Sequence, residues 1–287
     1  MKSLKCDLSK SILNIGFLGC VILTAFLCFT SKVYVDPSTA KSYSVIEAIF
    51  IIDKQLKLEN YSFSSYSVFC KGFNGYLSLF MPVISAIPFI IPFTSEGASG
   101  MKRFVITRTG VTKYYLSKVV SVLFCGGLIA CLGYAFYGLA VRFLFPSLSS
   151  YDLDYKTMEL IFVTNKNELT SVITLLVSAF LYGAESVALS LIIFSFSYDP
   201  YLITCIPFIL IYTWQTSLQK ITKNLIDKER FDIANVVYDM YPSSVMSLNV
   251  TATSKDIKII IIFTMALIVF CSFFYITVMH CRTDKGE

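Results

Sequence analysis

The sequence predicts an all-α integral membrane protein with six transmembrane helices, both termini cytoplasmic and short amphipathic helices on the outer side. Three observations predict it. The 287 residues are 55% hydrophobic and only 15% charged, whereas a soluble domain carries about 25% charged residues. The apolar residues fall into charge-free runs, and a hydrocarbon core of about 30 Å takes roughly 20 such residues to cross. The remaining charges are sorted by loop, basic in some and acidic in another. A chain of this length suits one membrane domain over residues 1–287, with no room for a large soluble domain as well.

The first span covers residues 11–31. It follows Lys2, Lys5 and Lys10 as a signal peptide would, but no small-residue cleavage site precedes Lys32, and it is read as a retained span. The second, about 75–95, contains Pro82, Pro88 and Pro92. Each interior proline removes a donor and frees a carbonyl, so this helix is expected to bend, and Pro82 and Pro88 are candidate hinge or wall residues of a transport path. The third, about 116–141, carries Gly126, Gly127, Gly133 and Gly138, and Gly126 with Ala130 forms a small-xxx-small pair. Such a pair permits close helix contact, within the chain or at a dimer face. The fourth, about 170–197, holds Glu185, the one charge in a span interior. A carboxyl there must face protein or water, for structure or for transport. The fifth, about 200–217, starts at Pro200, and Tyr198-Asp199-Pro200 reads as a tight turn. The sixth covers about 258–280.

Orientation follows from the short loops. The amino-terminal segment carries Lys2, Lys5 and Lys10 against Asp7. The 96–118 loop carries Lys102, Arg103, Arg108, Lys113 and Lys118 against Glu96. Residues 147–168 are acidic. The positive-inside rule then places both termini and the 96–118 loop in the cytoplasm, with outer loops at 32–71, 147–168 and 218–257. Val45–Ile52 reads as a short helix at the outer interface. Ile233, Val236, Val237 and Met240 follow helical spacing, so residues 223–240 read as an amphipathic helix packed on the protein's own rim, ended by Tyr241-Pro242. Asn249-Val250-Thr251 matches a glycosylation sequon, read as a chance match.

Much chemistry is excluded. There is no phosphate-binding Gly-x4-Gly-Lys-Ser/Thr loop, and Gly97-Ala98-Ser99-Gly100 lacks nucleophile-elbow spacing. His280 is the only histidine, which removes His-based metal sites and most Ser/His or Cys/His pairs. The nine cysteines show no CxxC spacing, and most lie in apolar runs. No basic cluster with interleaved aromatics suggests nucleic acid. The chain is therefore not read as an enzyme, and no metal or cofactor site is expected in it.

One segment stands out. Residues 96–118 form the single short, basic, Gly-punctuated connection in the chain, placed between two apolar runs. At this loop the chain resembles the permease subunits of ABC-2 type transporters. Those carry, after the second span, a Glu, a Gly, a mid-loop basic residue and a Lys at the mouth of the third span. Glu96, Gly100, Arg108 and Lys118 match, with Lys102, Arg103, Lys113 and Tyr115 around them; the first outer loop, about 40 residues, is longer than the pattern. The resemblance implies a cell-membrane exporter subunit that pairs with a second permease copy or a homologous permease. It also implies a separate ABC ATP-binding subunit, holding ATP and Mg, that docks on this loop. The substrate would be a lipid, a hydrophobic drug or an antimicrobial peptide, moved outward by alternating access. The other readings are a non-transporting membrane scaffold or sensor, and half of a secondary transporter.

Overall fold

A computed structural model describes residues 2–35, 41–98, 100–151, 168–247 and 254–284. The sequon at 249–251 and most of the acidic 147–168 loop lie outside the described residues. The chain is a multi-pass, largely helical membrane protein. Among the described residues five helices are long and apolar enough to cross a membrane, or six if the bent pair at the amino-terminal end is one span.

The first span, expected over 11–31, is broken near its start. Helix α1 (Lys2–Ile12) meets α2 (Ile15–Cys28) at 59°. Asn14 makes the break: its side chain accepts from the Gly16 N–H at 3.2 Å and caps α2. An Asn side chain competes for backbone donors and so favours caps over helix interiors. The 14 residues of α2 span roughly 21 Å, less than a hydrocarbon core, so α2 passes the length test for a span only together with α1.

The segment between the first two spans is built, not a loose loop. Strands β1 (Lys32–Val35) and β2 (Ser42–Ser44) pair antiparallel. They lead into α3 (Val45–Phe50), α4 (Lys54–Glu59) and α5 (Ser65–Lys71). The expected short helix at 45–52 is α3, opened by a capping box between Ser44 and Glu47. Its Val45 and Ala48 face the interior while Phe50 and Ile51 are exposed. At the end of α5 two carbonyls are tied to the bundle: Tyr134 Oη donates to Phe69 O, which also accepts from the Gly72 N–H at 3.1 Å, and Tyr137 Oη donates to Val68 O at 2.9 Å. Lys71 Nζ donates to Val33 O at 2.8 Å, and burial holds this ammonium below the usual lysine range.

The remaining helices are α6 (Leu77–Ala98), α7 (Met101–Thr109), α8 (Val111–Leu144), α9 (Glu168–Phe194), α10 (Pro200–Asp227), α11 (Phe231–Asp239) and α12 (Ser254–Asp284). Helix α6 runs as one element through all three prolines. Pro82 lacks the N–H that would bond Ser78 O, and Tyr182 Oη on α9 donates to that carbonyl at 2.6 Å. The turn expected at 198–200 is present. Asp199 caps α10 by accepting from the Tyr201 N–H at 2.9 Å, with Pro200 as the first helical residue.

Helix α8, 34 residues and roughly 51 Å long, is the axis of the bundle. Its glycines let neighbours approach. A Cβ on Gly183 of α9 would lie 2.4 Å from Gly126 O and 2.7 Å from Ala130 Cβ. The small-residue pair is therefore spent on intramolecular contact between α8 and α9. Helices α10 and α12 flank this core with exposed Leu202, Ile209, Ile262, Val269 and Phe273, the faces that lipid or another chain must cover.

The amphipathic helix read over 223–240 is two helices. The chain breaks at Glu229, whose φ of 58° is left-handed, a geometry that ends α10. In α11 the predicted apolar face is only half covered, with Val237 and Met240 half-buried. Ile233 and Val236 are exposed, while Ala234 and Asp239 are buried. Short helices are oriented by what their neighbours can accept, and here the small Ala234 fits closer than the branched residues.

Candidate functional site

The basic connection read as a loop over 96–118 is a helix between two spans. Helix α7 sits between Gly100 (φ 69°) and Gly110 (φ 83°). Both glycines hold left-side φ values that L side chains avoid, so the chain turns sharply on either side of α7. No residue of α7 is buried. Its Val105 and Ile106 rest against the bundle. The opposite side presents Met101, 54% exposed, and Phe104, 75% exposed, with Arg103 and Arg108 also exposed. Met101, Phe104 and Arg108 recur at i, i+3 and i+7, one helical face. An apolar pair flanked by guanidinium groups is a surface suited to a protein partner that offers a pocket and carboxylates.

Beneath α7 lies a buried charge network (α1, α6 and α8). Lys118 Nζ lies 2.7 Å from Asp7 Oδ1 and 2.7 Å from Glu96 Oε2. Tyr114 Oη donates to Glu96 Oε1 at 3.0 Å, and Ser117 Oγ donates to Asp7 Oδ2 at 2.7 Å. The ammonium also sits 4.2 Å from the centre of the Phe93 ring, a favourable cation–π placement. Every oxygen of the two carboxylates is met. Burying charges is expensive, and it is repaid only when geometry and hydrogen bonds are as complete as this. The network ties three helices into one body at the root of α7.

The sequence-predicted site residues therefore divide. Glu96 and Lys118 face inward and hold each other. Lys102 turns toward the bundle, its Nζ donating to Tyr198 Oη at 3.4 Å and lying 5.8 Å from the Tyr115 ring centre. Gly100 supplies the turn. Arg103, Arg108 and Lys113 remain exposed. Two contributors were missed by sequence reasoning. Asp7 reads in the sequence only as a countercharge among lysines, although it is the one acid in the first thirty residues. Phe104 is not among the sequence-read site residues, although an exposed aromatic beside arginines is the composition of a protein-contact surface.

Of the candidate path residues, Pro82 and Pro88 are buried within α6. Glu185 is 2% exposed, and neither carboxyl oxygen has a hydrogen-bond partner. At the other end of α8 a cavity of about 300 Å³ opens between α5, α8 and α9. Tyr66, Phe69, Leu139, Val172 and Leu176 line it together with the exposed Arg142 and Glu168. No protein-family model matches this chain, and no curated protein matches it.

Proposed function

We propose that the chain is the membrane-spanning permease subunit of an ATP-driven ABC-2 type exporter, with α7 as the element on which a separate ATP-binding subunit docks. The observation that carries this reading is α7 itself. It is a short helix with no buried residue, set between two positive-φ glycines, with Met101, Phe104, Arg103 and Arg108 exposed. A partner pressing on that face would not bend a loop. The Asp7–Lys118–Glu96 network joins α1, α6 and α8 into one body, and α7 is tied to that body by its two flanking helices and by Val105 and Ile106, a connection suited to transmitting nucleotide-driven closure into the membrane.

The rest of the reading follows from it. In this reading the docking face is cytoplasmic, both termini lie inside and the 32–71 module lies outside, in the cell membrane. A second permease copy or a homologous permease would complete the pathway against the exposed apolar faces. The cavity at the far end of α8, apolar in its walls and bearing Arg142 and Glu168, suits an amphiphile of the lipid or hydrophobic-drug class at the small end of ligand-site volumes, which start at about 300 Å³. ATP and Mg belong to the partner subunit.

The test separates docking from folding. Phe104→Ser combined with Arg108→Glu should abolish co-elution of the ATPase subunit and ATP-dependent transport, while purification behaviour and thermal unfolding of the membrane domain stay at wild-type values. Full ATPase binding by this double variant would remove the docking face and the permease reading with it.

A further inference from the structure

Glu185 is the outstanding chemical fact of the bundle that docking does not use. It is 2% exposed, its two oxygens have no hydrogen-bond partner, and it sits nine residues from the end of α9, roughly 14 Å along the axis. That depth is inside the hydrocarbon layer. Its polar surroundings are sparse. The Thr264 hydroxyl on α12 lies beside it without completing a hydrogen bond. Tyr182 on α9 and Cys271 on α12 are the titratable groups that interact with it. The charged residues of α6, α8, α10 and α12 lie at their ends, and residues 242–247, which also pack on α9, carry none. Ser178, Ser186 and Ser190 of α9 are likewise buried with unmet hydroxyls. Ser178 and Glu185 are seven residues apart and share a face.

An unpaired carboxylate at this depth is not tolerated. A metal ion would need several further oxygen donors, and no three His, Cys, Asp or Glu side chains cluster to hold one among the described residues. The smallest ligand that removes the charge is a proton. Packing alone does not call for a carboxyl here, since a Leu of similar volume would leave no polar atom unmet.

We infer that Glu185 is an intramembrane proton-binding site, neutral while the α9–α12 seam is closed and ionised when that seam opens to water. Opening the seam then releases one proton from the Glu185 carboxyl to water, and closing it takes one up. By linkage, a rising pH favours the open seam, by up to about tenfold per pH unit for one proton. The inference stands whether or not α7 docks an ATPase, and its test needs neither partner nor substrate.

Cys271 is a native reporter, buried in the same seam. The purified chain in lipid nanodiscs is treated with N-ethylmaleimide from about pH 6 to about pH 9, a range that exposed carboxyls do not titrate in. Labelling of Cys271 is read by peptide mass spectrometry in wild type and in Glu185→Gln. A Glu185 anion beside the thiol disfavours the thiolate in wild type alone, which opposes the expected rise and cannot mimic it. The expected ratio of wild type to variant rises with pH, by up to about tenfold per unit. Infrared spectra at neutral pH should show a protonated-carboxyl C=O band that resists deuterium exchange in wild type and is missing from the variant. A flat labelling ratio, or no such band, overturns the inference. Glu185→Leu, of similar volume, serves as the neutral variant if Gln does not fold.

Discussion

Two buried acids in this bundle are treated in opposite ways. Glu96, at the end of α6, has both oxygens met, one by Lys118 and one by Tyr114, and through Lys118 it is joined to Asp7. Glu185, midway through the bundle, is as deeply buried and has neither oxygen met. The first arrangement is self-sufficient: ion pair, hydrogen bonds and ring face replace the lost water. The second is stable only in a form that carries no charge. The difference teaches that burial of a charged residue type says little until its partners are counted. The completed cluster belongs to the mechanics of the fold, and the incomplete one marks where the molecule can respond to its surroundings.

The comparison breaks most visibly at Lys118. Lys118→Ala leaves Asp7 and Glu96 facing each other without a cation, and removing one partner of a buried pair costs roughly 3–5 kcal/mol. Thermal unfolding of the detergent-solubilised chain should fall accordingly. Neutralising the whole cluster, with Asp7→Asn, Glu96→Gln and Lys118→Met together, should recover most of that loss. A Lys118→Ala protein of wild-type stability would mean that the network does not hold the corner. A middle effect is expected at Tyr182. Tyr182→Phe strands the Ser78 carbonyl that Pro82 leaves free, a loss of about 1 kcal/mol; unchanged unfolding would show that α6 meets its proline-freed carbonyl in another way. The smallest effect belongs to Glu185→Gln, because an amide replaces a neutral acid of the same shape. Its stability at neutral pH should match wild type, in contrast to Lys118→Ala. A destabilisation as large as that of Lys118→Ala would place Glu185 in the first class, as a structural charge.

Most of the spans were legible because their signal is local. A run of apolar residues near the length of a bilayer needs no knowledge of its neighbours, and Asp199-Pro200 announces its own helix start. Helix α7 and the helix ends on either side of it were half legible. Their basic residues and glycines stood out, but the division between exposed Arg108 and inward-facing Lys118 did not, since ten residues of sequence carry no record of which way a helix has rolled. The break at Asn14 and the split at Glu229 were missed for a related reason. An uninterrupted apolar or amphipathic pattern reads through a single capping residue or one left-handed φ.

What the sequence by itself determined is the class of molecule and the number and rough limits of its long helices, because hydrophobic length and turn chemistry act over neighbouring residues. It also determined that Glu185 would be an exceptional residue, since no local pattern excuses a carboxyl in an apolar run. Only the tertiary structure decided which charges meet. Asp7 and Lys118 lie 111 residues apart in sequence and 2.7 Å apart in space. Glu185, one residue among apolar neighbours, is left without a partner by helices far along the chain. Pairing of charges is a property of helix packing, set by the close approach at Gly126 and Gly183 and by the angle at Asn14. Those contacts exist only once distant segments have come together in the membrane.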